Sequence, residues 1–345
     1  MPVRGLRRSA SAGASVRGGR PRKTGLWRFG VAWAATSMVF ACLATASAED
    51  FPSRPIRIVV PAGAGGPPDV GARLAAKALE RTLNTPVVVE NRNGRVNVTE
   101  SYLAGEADGY TILVGTSASL TILPAAKHVS YDVERDFIPL GTIWRTASAL
   151  EVRASMGVRT LGAFIAAAKA HPGTVTIGSG GVGTPAHLTI ELLKREAGID
   201  VIHVPFRSTG ESLTALIGGQ IDALFGDVQI VKAQLEAGTI VALAVTGPVR
   251  VPALPEVPTT AEAGLPGVVS EPWFGLVVSA KTPPAIVKRL QEALAAAHDD
   301  PVYRNALAQQ GASAGEPGPE ALGRLIRTDA AKWRSIITAA GIDLD

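Results

Sequence analysis

Residues 58–79, IVVPAGAGGPPDVGARLAAKAL, decide the fold of this chain. A β-branched run comes first, followed by glycine, alanine and proline, and then by an alanine-rich pattern that predicts a helix from Asp69 to Leu83. A glycine-rich turn between a strand and a helix leaves backbone N–H groups free at the helix start, where they can bind an anion. The stretch therefore predicts an anion site at the end of a strand.

The same order of elements returns at residues 175–197, VTIGSGGVGTPAHLTIELLKREA. Other strand patterns are RPIRIVV (54–60), TPVVVEN (85–91), GYTILVGTS (109–117) and GGQIDALFGD (218–227). Strands that alternate with helical patterns indicate a parallel sheet with crossover helices. We predict two α/β lobes that each present a helix N-terminus to a shared cleft, because ligands of open α/β sheets bind at the carboxyl ends of the strands. The end of the chain reads as helical from Pro283 onward.

Basic residues are concentrated at the start of the chain. Eight of the 34 Lys and Arg residues precede residue 49 and none of the 30 Asp and Glu residues does, so the remainder has 26 basic and 30 acidic side chains. The high overall pI therefore does not indicate nucleic-acid binding, and we expect no nucleic-acid partner.

Residues 1–48 have the layout of an export signal, with a basic start, an apolar stretch at 29–43 and small residues at 46–48. We predict cleavage after Ala48 and a periplasmic location. The only cysteine, Cys42, lies inside this segment, so the exported part can contain neither a disulfide nor a thiolate metal site. Lipidation at Cys42 stays open.

The first glycine turn fits neither common nucleotide motif. A phosphate-binding P-loop requires Gly-Lys followed by Ser or Thr, and a dinucleotide fingerprint requires its third glycine where Pro68 stands. A turn without a lysine suits one or two carboxylates better than several phosphates. Asp69 either caps the helix or contacts the ligand.

The second glycine turn is richer in donors. Ser179 and Thr184 offer hydroxyl groups, and Gly180 allows a ligand to approach the backbone closely. Thr184 can also cap the helix that begins at Pro185, and the two roles are compatible.

Residues 203–227, HVPFRSTGESLTALIGGQIDALFGD, contain further candidates. Ser208 and Glu211 have capping-box spacing, which is a structural signal. Arg207 either pairs with a ligand carboxylate or faces water. Asp227 either accepts a hydrogen bond from a ligand amine or hydroxyl group, or is an ordinary turn residue.

Signals for catalysis are scarce. None of the five histidines pairs with another at metal-ligand spacing, and the chain has no Gly-x-Ser-x-Gly elbow. His187 and His203 read as structural histidines. We predict no catalytic residue, metal or cofactor.

From about Phe51 onward, the chain resembles the periplasmic solute receptors of tripartite tricarboxylate transporters, the Bordetella uptake gene family. The resemblance is carried by FPSRPIRIVVPAGAGGPPD, PVVVENRNG, DGYTILVGTSAS, YDVERDFIPL, IGSGGVGTPAHLTIELL, HVPFRSTGESLTALIGGQIDALF, ALAVTGPVRVPALPEVPTTAEAGLPG and WFGLVVSAKTPP. It implies a two-lobed type II periplasmic binding protein, each lobe a sheet flanked by helices with a ligand cleft between. Lobe 1 would span 51–147 plus 274–345, and lobe 2 would span 148–273.

The resemblance also implies a receptor that closes on a small organic carboxylate and delivers it to the membrane subunits of a transporter. The turns after the first and third strands would face the ligand from lobe 1, and the GSGG turn and the VPF strand end from lobe 2. With the residues discussed above, the candidate ligand-binding set is Ala62, Gly63, Gly65, Asp69, Thr116, Ser117, Ser179, Gly180, Thr184, Phe206, Arg207 and Asp227.

Three features depart from the family pattern. Relatives usually carry phenylalanine at the position of Ala62 and threonine at that of Pro68, and Pro-Gly-Ala-Gly-Gly in place of residues 93–97. A smaller Ala62 should enlarge the pocket. Arg95 either pairs with a second ligand carboxylate or faces water.

We expect a monomer. A sensory receptor that reports the ligand to a signalling partner is an alternative that the sequence does not separate from transport. An exported hydrolase is a further alternative, which the missing nucleophile elbow opposes.

Overall fold

The computed structural model describes residues 51–342 and Leu344. The export signal predicted for residues 1–48, including Cys42, lies outside the described residues. Within the described part of the chain, no helix is both long enough and apolar enough to cross a membrane.

In the part of the chain that the structure describes, ten strands form two five-stranded sheets. The strands are β1 (Ile56–Val60), β2 (Val87–Asn91), β3 (Thr111–Thr116), β4 (Phe137–Arg145), β5 (Ser148–Arg153), β6 (Thr176–Ser179), β7 (Ile202–Pro205), β8 (Ala223–Asp227), β9 (Ile240–Val245) and β10 (Trp273–Ser279). The first sheet has the order β2-β1-β3-β10-β4, and the second has the order β7-β6-β8-β5-β9. Four strands of each sheet run in the same direction, and the fourth strand in each order runs antiparallel to both of its neighbours.

Eleven helices accompany these strands in the described residues. They are α1 (Pro67–Leu83), α2 (Arg95–Leu103), α3 (Leu123–Ala126), α4 (Val133–Asp136), α5 (Leu161–Ala170), α6 (Pro185–Ala197), α7 (Thr209–Ile217), α8 (Val228–Glu236), α9 (Pro284–Asp299), α10 (Pro301–Gln309) and α11 (Pro319–Ala340). A π-helical turn (Ala118–Ile122) precedes α3, and a 3-10 turn (Ala154–Met156) follows β5. Helices cover both faces of the sheets, so β10 is buried along its whole length.

Helix α1 begins at Pro67, two residues before the predicted start at Asp69. Proline is tolerated in the first turn because the N–H groups of that turn have no intrahelical acceptor. Asp69 consequently lies inside the first turn of α1.

The chain passes between the sheets twice, and the two crossings lie side by side. The first runs from Arg145 to Ser148, and the return precedes Trp273. The amide of Thr246 donates to the carbonyl of Ser148 at 2.8 Å, and the amide of Thr146 donates to that of Pro272 at 3.1 Å. We call the part built on the first sheet the first lobe and the part built on the second sheet the second lobe.

Helix α11 contacts both lobes. The indole Nε1 of Trp273, in the first sheet, donates to Asp329 Oδ2 at 2.7 Å. Further along α11, Trp333, Ile336 and Ile337 pack into the apolar core of the second lobe. Trp333 is 1% exposed, as expected of a core anchor.

The bond between Trp273 and Asp329 should hold α11 on the first sheet. Replacing Asp329 by Ala leaves a buried indole N–H without an acceptor, which we expect to lower the free energy of unfolding by about 1–3 kcal/mol. Asp329→Asn keeps an acceptor oxygen and should lose less. Urea denaturation followed by circular dichroism measures both changes.

Asp299→Ala, at the exposed end of α9, is a suitable control and should be close to neutral. An Asp329→Ala variant as stable as the wild type would show that the bond contributes nothing to the docking of α11.

Candidate functional site

A cleft of about 540 Å³ lies between the two lobes. The first lobe contributes the turn after β1, the turn after β3 and the start of α2, and the second lobe contributes the GSGG turn and the starts of α6, α7 and α8. Both glycine turns predicted from the sequence therefore open into one space.

Five helices of nine or more residues within 51–342 begin at this cleft. The lining residues at those starts include Pro67 of α1, Arg95 of α2, Ala186 of α6, Thr209 of α7 and Asp227 just before α8. The first N–H groups of a helix have no intrahelical acceptor, and the helix dipole places partial positive charge at the same end. Helix starts of both lobes therefore make the cleft favourable for an anion.

Two arginines add full positive charge from opposite lobes. Arg95 and Arg207 both line the cleft, and neither guanidinium has an ion-pair partner in the described part of the protein. Their charge is therefore available to a ligand. Among the described lining residues, Asp227 is the only acid.

A network of polar side chains holds the first glycine turn in place. Asp69 Oδ2 accepts hydrogen bonds from the amide of Gly65 at 2.8 Å and from Arg73 Nε at 3.0 Å. Arg73 also donates to Asn91 Oδ1 at 3.2 Å, and Asn91 Nδ2 donates to the carbonyl of Ala62 at 3.2 Å. Burial by itself would raise the pKa of Asp69, but the bonds from Arg73 and Gly65 outweigh it and lower that pKa. Asp69 therefore fixes the shape of the turn.

The second glycine turn is held by a hydroxyl network. Ser179 Oγ accepts from the amide of Gly181 at 3.1 Å and shares a hydrogen bond of 2.7 Å with His203 Nε2. Thr184 Oγ1 donates to the carbonyl of Gly181 at 2.7 Å and caps α6 by accepting from the amide of His187. Gly181 has φ 121°, a conformation that side chains rarely adopt.

Two histidine rings support this turn from inside the second lobe. The rings of His187 and His203 stack with centroids 4.3 Å apart, and the amide of Gly183 donates to His187 Nδ1 at 3.3 Å. Burial, with smaller contributions from His187 and Lys194, lowers the pKa of His203 to about 4, and burial also lowers that of His187. Both rings are therefore neutral at neutral pH and act as structural groups.

The structure places most of the predicted ligand-binding residues on the cleft. Eight line it: Ala62, Gly63, Thr116, Ser117, Gly180, Thr184, Arg207 and Asp227. Four do not: Gly65, Asp69, Ser179 and Phe206. Asp69 and Ser179 are used inside the turns as described above, and Phe206 packs on the apolar cluster around Leu216 and Ile221.

Other lining residues had no signal that identified them as ligand contacts. Thr209 and Gly210 begin α7, whose cap at Ser208 the capping-box spacing did predict. Phe225 and Phe274 come from different sheets and add apolar wall to the cleft. Residue type alone does not distinguish such side chains from other core residues.

The described residues contain no group of three or more His, Cys, Asp or Glu side chains that could hold a metal ion. The cleft instead offers main-chain amides, hydroxyl groups and two guanidinium groups. This set of groups can bind and orient a small anion.

Comparison with known proteins gives consistent matches over most of the chain. The profile of the tripartite tricarboxylate transporter family receptor matches residues 71–342. A UPF0065 protein in the tcbD–tcbE intergenic region of a Pseudomonas species is 34% identical over 292 residues, which cover 84% of this chain and 87% of that protein. Protein BugT of Bordetella pertussis is 31% identical over 308 residues, which cover 87% of this chain and 94% of BugT.

Solved structures agree with these sequence matches. A protein of R. palustris with adipate has a TM-score of 0.78 and 31% identity, covering 85% of this chain and 99% of that chain. MatC from Rhodopseudomonas palustris with bound malate has a TM-score of 0.74 and 29% identity, covering 83% of this chain and 100% of that chain. The predicted two-lobed α/β fold is confirmed.

The neutral state of His203 predicts a pH dependence of stability. Because its pKa falls from 6.5 to about 4 on folding, the unfolded chain binds the extra proton between these values. Stability should therefore decrease as the pH falls from about 6.5 to 4, by on the order of 2–3 kcal/mol for a shift of this size. Melting temperatures measured across this range test it.

His203→Gln keeps an amide donor for Ser179 and removes the titrating ring, so the decrease should be smaller in this variant. An unchanged pH profile would contradict the assignment to His203.

Proposed function

Because the chain belongs to the tripartite tricarboxylate transporter family of receptors, we propose that it captures a small organic carboxylate for a transporter of that type. Receptors of this family are periplasmic binding proteins and not enzymes. We assign export to residues 1–48 with cleavage after Ala48, and delivery of the ligand to the membrane subunits of the transporter. The receptor would act as a monomer.

The observation that carries the proposal is the convergence of helix starts from both lobes on one cleft that also holds Arg95 and Arg207. Partial positive charge at helix starts favours a carboxylate over a neutral solute, and guanidinium groups pair well with carboxylates. The cleft volume lies in the range of small-molecule sites, about 300–1,000 Å³. Adipate and malate, bound in the two similar structures, belong to the same chemical class.

The proposed lobes, 51–147 plus 274–345 and 148–273, meet at the paired crossings around Thr146 and Thr246. Trp273, the last residue of the second lobe's range, is already the first residue of β10 in the first sheet. A ligand that contacts both lobes at once makes those contacts only when the lobes are close together. It therefore stabilises the closed arrangement by its differential affinity for that state. The membrane subunits would recognise the closed shape.

A thermal-shift screen of the purified protein tests the ligand class. We expect at least one mono-, di- or aromatic carboxylate to raise the melting temperature, because a ligand that binds the folded state stabilises it by mass action. Neutral sugars and cationic amines are the matched controls and should have no effect. Shifts produced by sugars or amines, with none from carboxylates, would refute the proposal.

The close approach of Gly180 to the start of α7 provides a test of the site itself. A Cβ at Gly180 would lie 3.1 Å from Thr209 Oγ1 and 3.2 Å from the Thr209 amide nitrogen, so Gly180→Ala must push the two apart. Binding groups need positioning to about 0.5 Å, so we expect affinity for the carboxylate found in the screen to fall by about tenfold. Isothermal titration calorimetry measures it.

Gly162→Ala is the matched control, because a Cβ there meets nothing within 4 Å and the residue lies in α5, away from the cleft. Its affinity should equal that of the wild type. If Gly180→Ala also binds normally, the contact between the GSGG turn and α7 does not shape the ligand site.

A further inference from the structure

Asp227 occupies an unusual position for an acid in a cleft suited to anions. It is the residue before α8, but its side chain does not cap that helix. Among the described residues, its carboxylate has neither a hydrogen-bond partner nor an ion-pair partner. A carboxylate at this position can stabilise its own helix by capping it. The Asp227 carboxylate does not do so, and Asp227 lines the cleft.

A second unused polar group lies next to it. Ser148 of β5 is the register partner of Asp227 in the antiparallel β5–β8 pair, and both residues line the cleft. Side chains of directly opposite residues lie on the same face of a sheet, about 4.5–5.5 Å apart at Cβ. The amide of Ser148 donates to Thr246 Oγ1 at 3.2 Å, whereas its hydroxyl group has no partner in the described part of the protein. The pair offers an acceptor and a hydroxyl group side by side.

The backbone beside Asp227 is fixed by a buried acid. Glu151 is fully buried, and its Oε2 accepts from the amide of Gly226 at 3.0 Å. Burial raises the pKa of Glu151 well above its usual value, with Asp227 adding to the effect, so the neutral form of Glu151 is favoured. Burial also raises the pKa of Asp227 to about 6, which leaves Asp227 largely ionised above neutral pH. Of the two acids Glu151 and Asp227, it is therefore Asp227 that carries the negative charge.

Asp227 is partly buried on the wall of the cleft, and a bound ligand would shield its carboxylate from water. A carboxylate shielded in this way is costly unless a donor reaches it. Since the described protein supplies none, we propose that Asp227 is a specificity-determining residue that selects carboxylates carrying a hydroxyl or ammonium group. The ligand carboxylate would lie among the helix starts and arginines, and its donor group would bind Asp227 with Ser148 alongside. An unsubstituted dicarboxylate leaves Asp227 unpaired. This inference depends on the proposed function and names the ligand class for the same site.

The test compares acids that differ only in the donor group. Succinate, malate and aspartate form one set, and adipate, 2-hydroxyadipate and 2-aminoadipate form another, so that the length of the ligand is also sampled. Calorimetric titration of the purified protein at pH 7.5 should show a hydroxy or amino acid binding at least about tenfold tighter than the unsubstituted acid of the same set, as expected for a hydrogen bond to a charged group. Equal or tighter binding of the unsubstituted acids would overturn the inference.

Variants of Asp227 test whether its carboxylate causes the preference for substituted acids. They also distinguish a ligand hydroxyl group from a ligand ammonium group as the hydrogen-bond donor. Asp227→Ala removes the acceptor and should bring the members of a set to within about twofold of one another. Asp227→Asn keeps the shape and one acceptor oxygen, so a preference based on ammonium is lost in both variants, whereas one based on hydroxyl survives in part in Asp227→Asn. Asp299→Asn removes the same charge from an exposed helix end and should preserve the wild-type preference.

Thermal unfolding of each variant confirms that it is folded before titration. A preference that survives in Asp227→Ala overturns the role of Asp227 and leaves the proposed function intact. If no carboxylate of either set or of the thermal-shift screen binds, both the inference about Asp227 and the proposed function are overturned.

Discussion

The structure depends on the direction in which each helix leaves its strand. In a crossover unit of a parallel sheet, the helix begins at the carboxyl end of the preceding strand, and the handedness of the connection is constrained. Both sheets follow equivalent strand orders and direct these ends toward the same cleft. The positive ends of helices from both lobes therefore meet there.

Glycine turns are flexible unless something holds them, and each turn here is held from its buried side. Asp69 ties together its own turn, Arg73 and the end of β2, while Ser179 ties its turn to the stacked histidines. Satisfied buried networks of this kind rigidify the backbone that they contact. These polar side chains therefore shape the turns, and the cleft surface is formed by main-chain amides together with other hydroxyl, guanidinium and carboxylate groups.

The lobes are joined more extensively than two crossings alone would imply. The Asp329 side chain links helix α11 to the first sheet, and the last turns of the helix pack into the core of the second lobe. A change in the angle between the lobes must be absorbed both at the paired crossings and at this helix contact. Since packed cores do not deform continuously, a small number of discrete arrangements is the natural result.

Much of this arrangement can be predicted from the sequence, because it depends on residues that are close together in the chain. The alternation of strands and helices, the exclusion of both nucleotide motifs by Pro67 and Pro68, and the caps at Thr184 and Ser208 all follow from residues a few positions apart. Eight of the twelve candidate ligand residues line the cleft for the same reason: they follow directly from the ends of strands or the starts of helices.

Only the tertiary structure decided which side of each turn a side chain occupies. Ser179 reads as a ligand hydroxyl until His203, 24 residues away, is brought to 2.7 Å from it. The sequence leaves Asp227 as either a ligand contact or a turn residue, whereas the structure shows that β5 places Ser148 opposite it and that the starts of α2 and α7 reach the same cleft. Local sequence specifies backbone conformation and caps, whereas the partner of a polar side chain depends on contacts between distant segments that form only when strands pair within a sheet and the lobes come together.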